Sequence, residues 1–413
     1  MINIAVLGYG VVGSGVVEVF YKNRESIQKK AGQEMEIKYI LDVRDFPDSP
    51  YKDKFVKDFD IIANDESVKV VAEVIGGIEP SYTFVKTCLE KGKSVVTSNK
   101  ELVASKGAEL LAVAKEHHVN FFFEASVGGG IPIIRPLHMC LAANEIVEIE
   151  GILNGTTNFI LTKMIRENMS FEAALKMAQE LGYAERNPAA DIEGHDACRK
   201  ICILASLSFG SHVYPQDVYT KGITQITPED VAYAESCDSV IKLIGRAKKM
   251  EDGRISAMVC PMFVSHESQL STVDDVFNGI LVKGDATGDV VFYGKGAGKL
   301  PTASAVVGDI VDCAKATDTS TSLHWEPSEG KNVVDKSENE TAMYLRVKSD
   351  EVKVLDVARK LLGDIRVLSR EGQPSDEFAF ITPIAKEAVI DAAISRLESM
   401  GAEILGEVRI LEC

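Results

Sequence analysis

Short apolar runs alternate with longer helix-forming stretches along the first 124 residues. Ile2–Leu7, broken only by Asn3, predicts a strand, and Val11–Lys22 predicts a helix. Ile37–Val43 and Val70–Ile75 predict further strands, the latter followed by a helix over Ser81–Lys91. Ser94–Thr97 predicts a fourth strand, then a helix over Glu101–His117, then a fifth strand over Asn120–Glu124. Strands rich in Val, Ile and Phe with helices between them imply a parallel sheet covered on both faces. Right-handed crossovers make that a doubly wound, Rossmann-type α/β fold.

From about residue 151 to 293 the pattern changes to α+β. Thr157–Glu167, Phe171–Leu181 and Asp196–Ser208 predict helices, whereas Ile255–Val264 and Val290–Tyr293 predict strands of a separate sheet. Thr302–Lys315 is helical again and is expected to return to the first domain, which then comprises 1–150 plus 294–317. Residues 318–340 are polar and predict a linker. The last unit, 341–413, reads as strand Thr341–Lys348, helix Val352–Leu362, strands Arg366–Ser369 and Glu377–Pro383, helix Lys386–Met400 and strand Ala402–Leu411. That βαββαβ order is the ferredoxin-like arrangement.

Length and charge narrow the function. A chain of 413 residues holds two or three domains. The formal charge, 45 − 62 = −17, disfavours nucleic acid and anionic membranes as partners. No signal peptide and no apolar run of membrane-spanning length is visible. Eight scattered cysteines without a CxxC pair fit reduced thiols in the cytoplasm. Cys198 and Cys202 stand four apart, but no histidine pattern completes a zinc site.

Gly8-Tyr9-Gly10-Val11-Val12-Gly13 follows the first strand and opens a helix. In this setting the first glycine makes the tight turn, the second admits a pyrophosphate to the backbone, and the third lets helix pack on strand. The helix N-terminus then faces the phosphates. The second strand runs into Asp42-Val43-Arg44. An acid here favours the ribose hydroxyl of NAD, and an arginine favours the extra phosphate of NADP. Arg44 points to NADP and Asp42 keeps NAD open. A solvated loop charge is the plain alternative for Arg44.

Acids crowd around one lysine in the middle region: Glu185, Asp191, Glu193, Asp196 and Lys200. Asp196 and Lys200 lie four apart on a predicted helix, which by itself fits a surface ion pair of roughly 0.3–0.5 kcal/mol. The acids by themselves fit a solvated loop. The chemical reading is that a lysine flanked by carboxylates keeps a proton it can donate. Reducing an aldehyde by hydride leaves negative charge on oxygen, which an ammonium stabilises and then protonates.

Four stretches resemble homoserine dehydrogenase: Thr97-Ser98-Asn99-Lys100, Glu124 through Pro132, Gly151 through Asn158, and the long run Leu181 through Lys200. The resemblance extends from Met1 to about residue 316. It implies NADP- or NAD-dependent interconversion of L-aspartate 4-semialdehyde and L-homoserine. It implies Lys200 as general acid/base and Lys100 as a second lysine near nicotinamide and substrate. Glu185 would bind the substrate ammonium, with Asp191 and Asp196 orienting substrate and lysine. Gly155, Thr156 and Tyr183 would line the substrate pocket. Gly8 to Gly13, Arg44, Ser98, Lys100 and Gly298 would contact cofactor. Glu124, Val127, Gly129 and Ile131 would hold a monovalent cation such as Na⁺, largely through carbonyls. The histidines, including His117, His118, His138 and His195, receive no catalytic role.

The tail resembles an ACT domain, a module that often binds an amino-acid effector between protomers. The effector loop after its first strand usually carries Pro-Gly. Here Ser349-Asp350-Glu351-Val352-Lys353 lacks the glycine, so the standard threonine route is weakened. Oligomer assembly is the alternative role, and sheet edges in so small a unit suggest a homo-oligomer. Two other readings of the whole chain stand beside the dehydrogenase. One is an oxidoreductase with another carbonyl substrate. The other is a non-catalytic amino-acid sensor, which would not be expected to keep both Lys100 and Lys200.

Overall fold

The computed structural model describes residues 1–316, 323–349 and 351–411. The start of the polar stretch at 318–322, Asp350 of the tail loop and Cys413 lie outside the described residues.

The N-terminal part builds β1 (Ile2–Leu7), α1 (Val11–Lys22), α2 (Arg24–Ala31), β2 (Met35–Leu41), β3 (Phe55–Val56), α3 (Phe59–Ala63) and β4 (Val68–Glu73). It continues with α4 (Ser81–Glu90), β5 (Ser94–Thr97), α5 (Lys100–Glu116) and β6 (Phe121–Phe122). The six strands are parallel in the order β3-β2-β1-β4-β5-β6. Ile4, Ala5, Val6 and Leu7 of central β1 are fully buried, because helices cover both faces. The order reverses between β1 and β4, and ligands of such sheets bind at the carboxyl ends there. The pattern missed α2, α3 and β3, which are short or polar and carry little periodic signal. The fifth strand is shorter than expected, because Glu124 begins a turn of 3₁₀ helix.

The middle region comprises β7 (Ile146–Ile152), α6 (Gly155–Glu167), α7 (Phe171–Glu180), α8 (Ala189–Ile192), α9 (His195–Phe209) and β8 (Tyr219–Thr220). After these come α10 (Pro228–Ser236), β9 (Ser239–Lys249), β10 (Ile255–Ser265), β11 (Phe277–Gly284), β12 (Gly288–Lys295) and α11 (Lys299–Lys315). The sequence pattern does not predict the two-residue β8, nor the longer β7, β9 and β11. The longer three carry Glu148, Glu150, Arg246 and Lys283, which blur the apolar pattern. In the fold those charges meet across strands, with Arg246 Nε 2.5 Å from Glu148 and Lys283 Nζ 3.3 Å from both glutamates. Helix α11 packs on α1, so the chain returns to the first sheet after leaving it.

The tail forms β13 (Glu340–Thr341), β14 (Met343–Lys348), α12 (Glu351–Leu362), β15 (Arg366–Leu368), β16 (Glu377–Ile381), β17 (Ala385–Lys386), α13 (Glu387–Ser399) and β18 (Glu403–Leu411). Its sheet is not separate from the middle one. Strand β18 pairs in parallel with β10, Met262–Val264 against Arg409–Leu411, giving the continuous order β12-β11-β7-β9-β10-β18-β14-β16-β15. The β18 edge of the tail's sheet is therefore occupied within the chain, while β15 ends the sheet on the other side. Buried polar groups lie at the joint: Arg346 and Tyr344 of the tail both reach Asp230 of α10 at 3.1 Å, and within the tail Arg409 forks onto Glu387.

The polar stretch before the tail is anchored to the body, by Ser328 and Asn332 on the His212 carbonyl and by one buried aromatic ring. Trp325 is buried, its indole N–H donates to His212 Nδ1 at 3.0 Å, and its ring lies so close to Gly107 of α5 that a Cβ there would sit 2.5 Å from it. Composition alone does not show this, since one aromatic among polar residues leaves no period.

Candidate active site

The cofactor turn comes first. Gly8 takes φ +96°, and a Cβ on Gly13 would lie 1.9 Å from the Gly8 carbonyl oxygen, so no side chain fits there. Gly10 precedes α1, Val11 is exposed, and Val12 and Val11 line a cleft of about 260 Å³ at the carboxyl end of the first sheet. Ser98, Lys100, Val127, Gly129, Lys200 and Gly298 line the same cleft. Gly298 lies at φ +126° just before α11, so the returning helix presents its N-terminus to this space. The turn, the start of α5 and the returning segment thus meet at one cleft, where helix N-termini can receive a cofactor's phosphates.

Asp42 follows β2 directly. Its carboxylate accepts from the Tyr9 N–H at 2.8 Å, the Arg44 N–H at 2.9 Å and the Arg44 guanidinium at 2.9 and 3.0 Å. These Arg44 contacts hold the carboxyl down at about 2. Arg44 is thus folded onto Asp42, and its guanidinium also donates to the Tyr9 carbonyl at 3.2 Å.

The polar centre forms where α5, α6, α8 and α9 meet the end of β7. Asn99 caps α5 by accepting the Leu102 N–H, which places Lys100 in the first turn. Asn154 caps α6 in the same way through the Thr157 N–H. Gly194, at φ +88°, turns the chain into α9, with Asp196 in its first turn and Lys200 one turn on. The Lys200 ammonium reaches the Leu153 carbonyl at 2.7 Å and Asp196 at 2.8 Å. Lys100 reaches the other Asp196 oxygen at 2.7 Å. The Asn154 amide donates to Asp191 at 2.7 Å and to Asp196 at 2.9 Å.

The surface-pair reading of Asp196 and Lys200 therefore fails. Both are buried, at 5% and 7% exposure. Burial pushes the Asp196 carboxyl up, but Lys200 and Lys100 outweigh it and hold the group well below the carboxylate range. Burial lowers the Lys200 ammonium, with Lys100 adding to the effect, while Asp196 pulls it back up. The net direction is down. Burial raises Asp191, and the nearby Asp196 charge adds to that against the Asn154 hydrogen bond. Ionisable groups pushed in opposite directions within one cluster are the pattern of acid–base chemistry.

Other residues singled out from the sequence fall around this centre. A Cβ on Gly155 would lie 2.7 Å from the Val276 carbonyl oxygen. Thr156 donates to the Tyr183 carbonyl at 2.7 Å, and the half-exposed Tyr183 ring meets Phe159 edge-on. Glu185 sits on the exposed loop after α7 and is not joined to the cluster. Among the described residues its carboxylate has no hydrogen bond or ion pair, though its carbonyl accepts from Gln179. The Glu124 carboxylate is committed to the N–H groups of Ile133, Ile134 and Arg135. The Glu124 N–H donates to Asp309, which Arg135 also holds, tying this loop to α11. Asn154, Asp309 and Arg135 were missed. Asn154 lies inside the Gly151–Asn158 motif, but nothing in the sequence says that its amide bridges two acids.

Two family profiles match the chain: "Homoserine dehydrogenase, NAD binding domain" over residues 8–124 and "Homoserine dehydrogenase" over residues 132–311. A homoserine dehydrogenase of Neisseria gonorrhoeae is 38% identical over 417 residues, covering 97% of this chain and 95% of that one. The chain belongs to the homoserine dehydrogenase family. A crystal structure of a homoserine dehydrogenase from Thiobacillus denitrificans superposes with a TM-score of 0.90 at 34% identity, covering 100% of this chain and 98% of that one. A hyperthermophilic archaeal homoserine dehydrogenase, solved in complex with NADPH, gives a TM-score of 0.64 at 28% identity, covering 76% of this chain and 97% of that one.

As a homoserine dehydrogenase, the chain is an NAD(P)-dependent oxidoreductase that interconverts L-aspartate 4-semialdehyde and L-homoserine in amino-acid biosynthesis. The Gly8–Gly13 turn belongs to its nucleotide-binding domain. No described helix is long and apolar enough to cross a membrane.

Proposed function

We propose that Lys200 is the general acid/base of this homoserine dehydrogenase. One observation carries the reading: a buried lysine with a lowered ammonium pKa opens onto the cofactor cleft and is held between the Leu153 carbonyl and Asp196. When bound, the nicotinamide supplies or accepts the hydride. In the oxidative direction, neutral Lys200 takes the hydroxyl proton of L-homoserine. In the reductive direction its ammonium stabilises the aldehyde oxygen and returns the proton. Asp196 orients both lysines, and Lys100 adds positive charge near nicotinamide and substrate. Asn154 holds Asp191 and Asp196 in fixed relation.

Glu185 binds the substrate's α-ammonium, with Gly155, Thr156 and Tyr183 shaping the pocket. The cofactor is NADP, with NAD also accepted. Gly8, Tyr9, Gly10, Val11, Val12, Gly13, Ser98, Lys100 and Gly298 hold it, and Arg44 meets its phosphate. Carbonyls of Glu124, Val127, Gly129 and Ile131 would hold a monovalent cation. The donor set fits a hard ion, since the Glu124 carboxylate is already committed to backbone donors.

The test is homoserine oxidation by Glu185→Gln. Losing a charged hydrogen bond to the ammonium is expected to raise KM for homoserine about 10-fold or more. An unchanged KM removes Glu185 from the pocket. In the same assay, replacing Na⁺ by tetramethylammonium is expected to lower activity. Equal rates would end the cation reading.

A further inference from the structure

Glu73 closes β4 in register with Leu7, next to the cofactor turn, and is fully buried. Among the described residues no lysine or arginine forms an ion pair with it. Four dipolar donors hold the carboxylate instead. One oxygen accepts from the Ile75 N–H at 2.8 Å, the Gly76 N–H at 3.3 Å and the Ser81 hydroxyl at 3.0 Å. The other accepts from the Thr97 hydroxyl at 2.7 Å.

These contacts join two parts of the site. Residues 74–77 form the loop after β4, where Gly76 and Gly77 take positive φ. That loop packs on the cofactor turn: a Cβ on Gly8 would lie 3.1 Å from the Val74 oxygen and from Ile75. Thr97 closes β5, and its oxygen also accepts the Asn99 N–H at 2.9 Å. Asn99 caps α5 just before Lys100, and its amide donates to the Gly77 carbonyl at 2.6 Å. A closed ring of hydrogen bonds thus runs from Glu73 through Thr97 and Asn99 back to the loop.

We propose that Glu73 is a positioning residue for hydride transfer: one carboxylate sets the 74–77 loop against the cofactor turn and sets the Asn99–Lys100 start of α5. The second half rests on the reading of Lys100 given above. Burying a charge without a counter-ion is costly, so a neutral amide would serve a mere packing role more cheaply. The ring explains the acid. The Thr97 oxygen accepts the Asn99 N–H, and among the described residues Glu73 is the acceptor for its own hydroxyl proton, while the other Glu73 oxygen faces three donors. Both Glu73 oxygens must therefore accept, which only the carboxylate does.

The experiment is Glu73→Gln, compared with wild type, Lys100→Ala and the double variant. Thermal unfolding, kcat, KM for cofactor and homoserine, and the isotope effect with homoserine deuterated at its hydroxyl carbon are measured. The expected result is a cofactor KM raised about 10-fold, as for one unsatisfied buried group, with kcat lowered, homoserine KM unchanged and the isotope effect increased. The double variant is expected to match Lys100→Ala in kcat. A lower melting temperature with unchanged kinetic constants and isotope effect would overturn the proposal and leave Glu73 a packing residue. Normal kcat in Lys100→Ala would remove the Lys100 reading while the cofactor KM of Glu73→Gln still tests the loop. If Glu73→Gln fails to fold, Thr97→Val breaks the same ring, and the same constants decide.

Discussion

Replacing Lys200 by alanine is expected to lower kcat by about 10²- to 10⁴-fold, the usual cost of removing a general acid/base. The variant is expected to fold, because Asp196 keeps Lys100 at 2.7 Å and Asn154 at 2.9 Å as partners. The buried charge is thus not stranded. The loss is expected in both directions, since the same nitrogen serves as base for the alcohol and acid for the aldehyde. KM for the cofactor is expected to change little, because the turn that receives it does not depend on Lys200. A folded variant, checked by circular dichroism, that turns over at the wild-type rate would remove Lys200 from its role.

The second large effect is expected at the cofactor's ribose. Arg44 and Asp42 are bound to each other, so neither is free to act alone. A 2′-phosphate would draw the exposed guanidinium away from Asp42, whereas a 2′-hydroxyl would find Asp42 as acceptor. Arg44→Ala is therefore expected to raise KM for NADP about 10- to 100-fold, the scale of about 1.5–3 kcal/mol for a charged hydrogen bond. KM for NAD is expected to change far less. Asp42→Ala is expected to act in the opposite sense, lowering KM for NADP and raising it for NAD. With Arg44 in contact, the Asp42 carboxyl is held down at about 2, so the pair carries both charges throughout any practical assay range before the cofactor arrives. Steady-state constants with both cofactors decide. Equal change toward NADP and NAD in Arg44→Ala would mean that the pair shapes the loop without reading the phosphate.

The first sheet was legible in the sequence because its strands are buried on both faces and read as plain apolar runs, with the glycine turn marking where β1 ends. Strands β7, β9 and β11 were hidden because paired charges interrupt their apolar residues. The joining of β10 to β18 was out of reach, since a parallel pairing across more than a hundred residues leaves no local trace. At the site, motif spacing placed Asp196 and Lys200 on one helix face but did not say whether that face met water. Burial decided it. Asn154 and Glu73 went unmarked because their roles lie in where a donor or acceptor ends up after folding. Residue type alone does not encode that. Glu185 shows the reverse: it stands out in the sequence, yet the structure leaves its carboxylate apart from the cluster.

The most direct test of the account is the pH dependence of kcat for homoserine oxidation in wild type and Asp196→Asn. Oxidation needs neutral Lys200, so kcat should rise with pH as the ammonium loses its proton. Burial lowers that ammonium and Asp196 raises it. Removing the Asp196 charge should therefore move the inflection to lower pH, even as the rate falls from lost orientation. An inflection that stays in place, or moves to higher pH, would contradict the claim that Lys200 carries the proton under the control of Asp196.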